Sequence, residues 1–202
     1  MDLTLILTTG RAGSSMIANI FAEHGDFFMG NVREADKWNA KGYFENIRVQ
    51  RALKGTHGMD LLGEYPEPSE YFSNIFLDIL VEQGWDGKQP VLVKTGFYFF
   101  RVFRPFAPKI VLVRRPIEDV IRSYQDCGFL KHYFSPNEIK KIMRRFDKDM
   151  HRSMGYDVYT DQVIEGNYTS LKNAIEAVGL TYDEEIVKDV VRPGYWHFKE
   201  SK

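Results

Sequence analysis

The chain has a single cysteine, Cys127, among its 202 residues. One cysteine excludes an intrachain disulfide and a thiolate metal cluster, and its expected role is that of a small buried hydrophobe. No apolar run approaches the ~20 residues of a membrane-spanning helix. A secretory leader is not expected either: no basic segment opens the chain, and the polar turn at Thr8 follows Met1 too soon. A cytoplasmic, reducing compartment is the default expectation. Excess charge of one sign is also missing. The formal net charge is −1, which argues against nucleic-acid binding through overall charge. There is no convincing metal-ligand cluster, no internal repeat and no low-complexity tract. The Pro66–Pro68 break is too short for a linker, so residues 1–202 are read as one domain.

What is present is a chain that is 44% hydrophobic, enough for one well-buried core. The runs Leu3–Leu7, Pro90–Lys94 and Lys109–Val113, with the shorter Asp157–Tyr159, read as strands. The first three are near-continuously apolar, as strands covered on both faces of a parallel sheet are. Helical spacing lies between them. It places Met16, Ile17, Ile20 and Phe21 on one face of Ser14–His24, and it predicts a helix capped by Ser69 and another opened by Pro116. Two more run from Ser135-Pro136 to about Met154 and from Thr169 to Val178. Alternating strands and helices predict a three-layer α/β domain: a mostly parallel sheet, helices on both faces, and a P-loop-like fold.

Charge is unevenly spread. Asp60–Asp86 holds seven acidic residues and no Lys or Arg, whereas Arg101–Arg122 holds six basic residues against two acidic ones. A local basic patch suits a small anionic ligand, although a solvated surface with chance asymmetry has the same composition.

The segment Leu3–Phe21 runs strand, glycine-bearing turn, amphipathic helix. That geometry converges backbone N–H groups and the helix dipole on a phosphate. Gly10 and Gly13 let the turn close, Arg11 adds fixed charge, and Ser14 and Ser15 add hydroxyls. An ordinary capped βα turn is the competing reading. A nucleoside-triphosphatase loop, G-x-x-x-x-G-K-[ST], does not fit. With Gly13 as its second glycine, Thr8 replaces the first, Ser14 replaces the lysine, and only Ser15 matches.

Val111–Tyr124 is a second strand running into a helix, with Arg114 and Arg115 at the ligand edge of the sheet. Helical spacing puts Glu118 and Arg122 on an outer face and turns Ser123 inward. An arginine and a serine there suit a second phosphate; a salt-bridged surface helix is the alternative. Two phosphate sites without a Walker lysine point to a bisphosphorylated nucleotide.

On these residues the chain resembles the sulfotransferase family, which uses 3′-phosphoadenosine 5′-phosphosulfate (PAPS) and releases the 3′,5′-bisphosphate (PAP). Arg11-Ala12-Gly13-Ser14-Ser15 resembles the family's 5′-phosphosulfate loop. Arg115 to Ser123 keeps the arginine-to-serine spacing of its 3′-phosphate segment, with Asp119 and Val120 in register. The family's R-x-P fits only Arg114, so both arginines are retained and Arg115 is preferred. Asn39-Ala40-Lys41-Gly42-Tyr43-Phe44-Glu45-Asn46 is similar to the N-P-K-G-Y-F-E-[DN] segment of small bacterial members. Val158–Val163 is similar to their Y-E-D-L strand end, which implies Tyr159 near the adenine. Val191–Trp196 matches the family's C-terminal nucleotide-closing segment poorly, through Arg192 and Gly194.

The resemblance implies transfer of a sulfuryl group to a hydroxyl or amine, on a small molecule or a sugar. That chemistry needs a general base, charge stabilisation on the leaving group and in-line positioning. Lys94-Thr95-Gly96 stands where cytosolic members have K-[TS]-H, so the histidine base is replaced by Gly96. Lys94 is placed at the leaving group, though strand-end lysines are commonly just solvated. Glu45 is the best candidate base, and a helix-start cap over Glu45–Leu53 is its competing role. His57 and Asp60 follow as candidates; His24, His132, His151 and His197 read as surface or packing residues. Tyr43, Phe44 and Phe97–Phe100 suit an acceptor pocket or the core. Two rivals stay open: a nucleotide kinase or NTPase with a degenerate P-loop, and a nucleotide-binding module without turnover.

Overall fold

The computed structural model describes residues 1–35, 42–128, 130 and 133–191. Its centre is a four-stranded, wholly parallel sheet in the order β2-β1-β3-β4. The strands are β1 (Leu3–Thr8), β2 (Val91–Gly96), β3 (Lys109–Arg114) and β4 (Tyr156–Tyr159). All six residues of β1 are buried, as expected for a central strand flanked by β2 and β3. After β1 the chain crosses to one side of the sheet, and after β3 to the other. The C-terminal ends of β1 and β3 therefore flank the crevice where open α/β sheets bind ligands.

Helices surround the sheet. They are α1 (Ser14–His24), α2 (Ile47–His57), α3 (Glu70–Glu82), α4 (Ile117–Cys127), α5 (Pro136–Met150), α6 (Thr160–Ile164), α7 (Thr169–Ala177) and α8 (Glu184–Val190). Helix α1 packs on α8, α2 on α3, and α4 on α5. Ser69 Oγ accepts from Phe72 N at 3.1 Å, capping α3. Ser135 and Glu138 form a reciprocal capping box at α5. Among the described residues no helix is long and apolar enough to cross a membrane.

The boundaries differ from expectation where a local group decides them. Asn46, not Glu45, caps α2: its Oδ1 accepts from both Arg48 N and Val49 N at 3.1 Å, so the helix begins at Ile47. Pro116 is the N-cap of α4 rather than a helical residue. Helix α5 stops at Met150 instead of continuing to about Met154. Phe97–Phe106 forms a 3-10 helix that includes Pro105. Its Phe97, Tyr98, Phe99, Val102 and Phe103 are buried. Phe103 meets Phe72 and Phe76 edge-on, with centroids 5.5 and 5.4 Å apart. Phe97–Phe99 are thus core residues.

Candidate active site

The turn after β1 is held in an uncommon backbone shape. Gly10, Arg11 and Gly13 all have positive φ, at 80°, 54° and 79°. Gly10 has no alternative: a Cβ there would sit 2.0 Å from the Tyr124 hydroxyl oxygen. That hydroxyl donates to Thr9 O at 2.9 Å. Burial pushes the Tyr124 hydroxyl pKa up, so it stays protonated as a donor. Arg11, which has a Cβ, accepts a left-handed conformation at a cost of about 1–2 kcal/mol. No side chain caps α1. The amides of Ser14 and Ser15 precede the first backbone bond of the helix, Met16 N to Gly13 O at 3.0 Å. A glycine-shaped turn with uncapped amides is a cradle for an anion.

The turn after β3 lies against it. Arg11 Nε donates to Ser123 Oγ at 3.1 Å, and Arg115 Nη1 donates to Arg11 O at 3.3 Å. Ser123 therefore does face the crevice. The outer pairing differs from expectation: Glu118 pairs with Arg144 at 2.9 Å, and Arg122 lies 3.7 Å from Asp119. The two adjacent arginines part company. Arg114 is buried and turns into the protein, where Nε meets Asp157 Oδ1 at 2.5 Å and Nη2 donates to Met150 O at 2.9 Å. Arg115 reaches the first loop and lies 3.9 Å from Asp119.

Thr160 joins the two turns. Its fully buried hydroxyl lies 2.9 Å from Ala12 O and 3.0 Å from Arg114 O. A Cβ at Gly13 would come within 3.2 Å of its methyl group. Neither Thr160 nor Tyr124 was singled out as a site residue in the sequence. Thr160 falls inside the Val158–Val163 resemblance, and Tyr124 follows Ser123 directly, but nothing local marks their contacts. Tyr159 sits beside Thr160 at the end of β4, its N–H donating to Ser170 Oγ at 3.3 Å.

On the β2 side of the same crevice, Lys94 is 3% exposed, not solvated. Its ammonium has three acceptors: Ser15 Oγ at 3.0 Å, Tyr43 O at 2.6 Å and Glu45 Oε1 at 3.0 Å. Three hydrogens meet three partners. Burial holds the Lys94 pKa below its ordinary range; Glu45 opposes that shift and Arg33 reinforces it. Glu45 is one-third exposed, so it faces both the lysine and solvent. It is carried by a strap in which Arg33 N donates to Glu45 O at 2.9 Å and Tyr43 N to Arg33 O at 3.1 Å. Phe44, at φ 55°, bends the strap immediately before Glu45.

Gly96 closes β2 opposite Thr8, and a Cβ built on it meets nothing within 4 Å. His57 is away from this cluster, at the far end of α2, about 15 Å along the axis from its start. It packs beside Phe72 with ring centroids 5.7 Å apart, and burial lowers its pKa. Asp60 Oδ1 closes a turn on Leu62 N and Gly63 N. His24 bridges Ile20 O and Asp183 O, and His151 lies by Asp147 O and Arg114. Asn39, Ala40, Lys41, His132, Arg192, Gly194 and His197 lie outside the described residues.

Two solved structures share this architecture. The sulfotransferase domain from the Synechococcus PCC 7002 olefin synthase superposes with a TM-score of 0.51 at 15% identity, covering 98% of this chain and 83% of that one. The sulfotransferase domain from the curacin biosynthetic pathway superposes at 0.54 with 11% identity, covering 92% and 76%. The fold is a sulfotransferase fold. No family model and no curated protein matches the chain. The arrangement offers an anion cradle, a second basic turn laced to it, and a lysine–glutamate pair at the serine of the first turn.

Proposed function

We propose that the protein is a sulfotransferase that takes a sulfuryl group from PAPS and delivers it to a hydroxyl or amine acceptor. The observation that carries this reading is the joining of two basic turns, at the ends of β1 and β3, next to the buried Lys94–Glu45 pair. When bound, PAPS would supply an activated sulfuryl group on a phosphate leaving group.

The chain's own residues divide the remaining work. Arg11, Ala12, Gly13, Ser14 and Ser15 present amides, hydroxyls and charge to the 5′-phosphosulfate end. Arg115 and Ser123 take the 3′-phosphate. Arg114, committed to Asp157 and Met150 O, holds β3, β4 and α5 together. Tyr159 flanks the adenine. Glu45 removes the acceptor proton, and Lys94, linked to Ser15 and Glu45, supports the charge left on the phosphate. Glu45 is available for this because Asn46 does the capping. The acceptor is a small molecule or an exposed sugar, and the protein works in the cytoplasm.

A kinase or NTPase reading is disfavoured by Ser14 at the position of the Walker lysine. A binding module without turnover keeps the same turns but has no use for the Lys94–Glu45 pair. Thermal unfolding separates the three. PAP at a hundred times its Kd should stabilise the fold by about 2.7 kcal/mol. Stabilisation by ATP with magnesium and not by PAP would sink the proposal. Glu45→Gln should then leave PAP affinity unchanged and lower turnover about 10²–10⁴-fold. Undiminished turnover removes Glu45 as the base.

A further inference from the structure

A cleft of about 580 Å³ opens elsewhere on the molecule, between the 3-10 helix, the start of β3 and the turn after α5. Ile110 lines it, close to the N-terminal end of β3. At about 3.3 Å per residue it lies roughly 17 Å down the strand direction from Arg115, at the end of the sheet away from the anion turns. None of its lining residues belongs to the site described above.

The walls are of two kinds. Phe100, Ile110 and Met154 are apolar, and Met154 is 90% exposed, an unusual position for a large hydrophobe. Arg101, Arg104 and Arg152 supply positive charge. Two carboxylates lie at or beside these walls: Asp149, itself part of the lining, and Glu67. Asp149 Oδ2 accepts the Tyr65 hydroxyl at 2.6 Å, and Glu67 pairs with Arg101. Among the described residues, no carboxylate pairs with Arg104 or Arg152, and Arg101 keeps a buried Nε–H without a hydrogen-bond partner. The Arg101 and Arg104 guanidinium carbons lie 5.6 and 5.5 Å from the Phe100 ring centroid. Aromatic surface and guanidinium charge therefore share one wall. The rim is strained as well: Ala107, with a Cβ, holds φ 46° just before Pro108.

We propose that this cleft is a second binding site, for an organic anion with an aromatic or apolar body, such as an aryl sulfonate, sulfate ester or carboxylate. The body would rest on Phe100, Ile110 and Met154 while Arg104 and Arg152 close on the acidic group. A volume of this size suits one drug-sized ligand. Guanidiniums favour planar, multidentate contact with such acids. The site is independent of the sulfotransferase reading.

Titration with 8-anilinonaphthalene-1-sulfonate, followed by fluorescence in the presence of saturating PAP, tests it. The expected result is saturable one-to-one binding. Arg104→Gln combined with Arg152→Gln, both at exposed positions, should weaken it at least tenfold. The uncharged analogue N-phenyl-1-naphthylamine should bind the unaltered protein at least tenfold more weakly. Equal affinity for the neutral probe, unchanged affinity in the double variant, or non-saturable binding would each overturn the proposal. So would a probe affinity that falls as PAP is raised from zero to saturation, which would place the probe in the β1–β3 crevice.

Discussion

Lys94 and Arg114 sit in the C-terminal halves of the two strands that flank β1, and they are almost equally buried, at 3% and 6% exposure. Their partners differ in kind. Arg114 binds framework: a carboxylate on β4 and the last carbonyl of α5. Lys94 binds the loop serine Ser15 and two residues of the strap, Tyr43 and Glu45. One cation fastens secondary structure; the other gathers groups that face the crevice. Burial alone does not separate these roles, and the identity of the acceptors does.

The largest effect that can break this contrast is at Lys94. Lys94→Met should lower turnover at least 100-fold while leaving the unfolding free energy unchanged or slightly increased. The second half follows from sign. Burial makes the charged lysine unfavourable to the fold, and relief of that cost offsets the three hydrogen bonds that methionine cannot make. As pH rises through the depressed folded value toward the ordinary one, the unfolded chain binds more protons and the unaltered protein gains stability relative to the variant. A loss of 2 kcal/mol or more at neutral pH in the variant would place Lys94 with Arg114 as a framework cation.

Arg114→Gln should show the opposite pattern. It leaves the partly exposed Asp157 carboxylate and the buried Met150 carbonyl without their partner, and should destabilise by about 2–3 kcal/mol with PAP affinity retained. A PAP affinity that falls with this variant would return Arg114 to the binding site. Arg115→Gln sharpens the comparison between neighbours: PAP should bind ten- to a hundredfold more weakly, the ~1.5–3 kcal/mol of a charged hydrogen bond, with little loss of stability. Isothermal titration on the two variants reads both quantities. The smallest effect is Ser123→Ala, about 1 kcal/mol in PAP affinity, or roughly fivefold.

Much of this was legible because it is local. Strands β1, β2 and β3 declare themselves as apolar runs, and the glycine-to-serine turn announces its shape. Helical spacing alone turned Ser123 toward the crevice. The buried cations were not legible, for a shared reason. Arg114 meets partners 36 and 43 positions away, and Lys94 meets partners 49, 51 and 79 away. Solvation at a strand end is the local expectation, and only tertiary contacts override it. The sequence kept both Arg114 and Arg115 with Arg115 preferred, and it could not show what holds Arg114, since Asp157 is invisible from the R-R-P segment. The cap at α2 is different. Glu45 and Asn46 are adjacent and both can cap; in the fold Asn46 takes the cap and Glu45 meets Lys94. The 3-10 helix Phe97–Phe106 escaped because an almost continuous aromatic run has no period to read.

Thr160 has a consequence of its own. One hydroxyl, with one hydrogen, stands between the carbonyls of Ala12 and Arg114, and its methyl group abuts Gly13. The two anion turns are thereby set at a fixed gauge, like the jaws of a calliper locked by one screw. On the proposed reading, such a gauge measures a ligand by its length as well as its charge. A nucleotide phosphorylated at one end would fill one jaw only, and selection for two phosphates would lie in the distance between turns that neither phosphate touches alone.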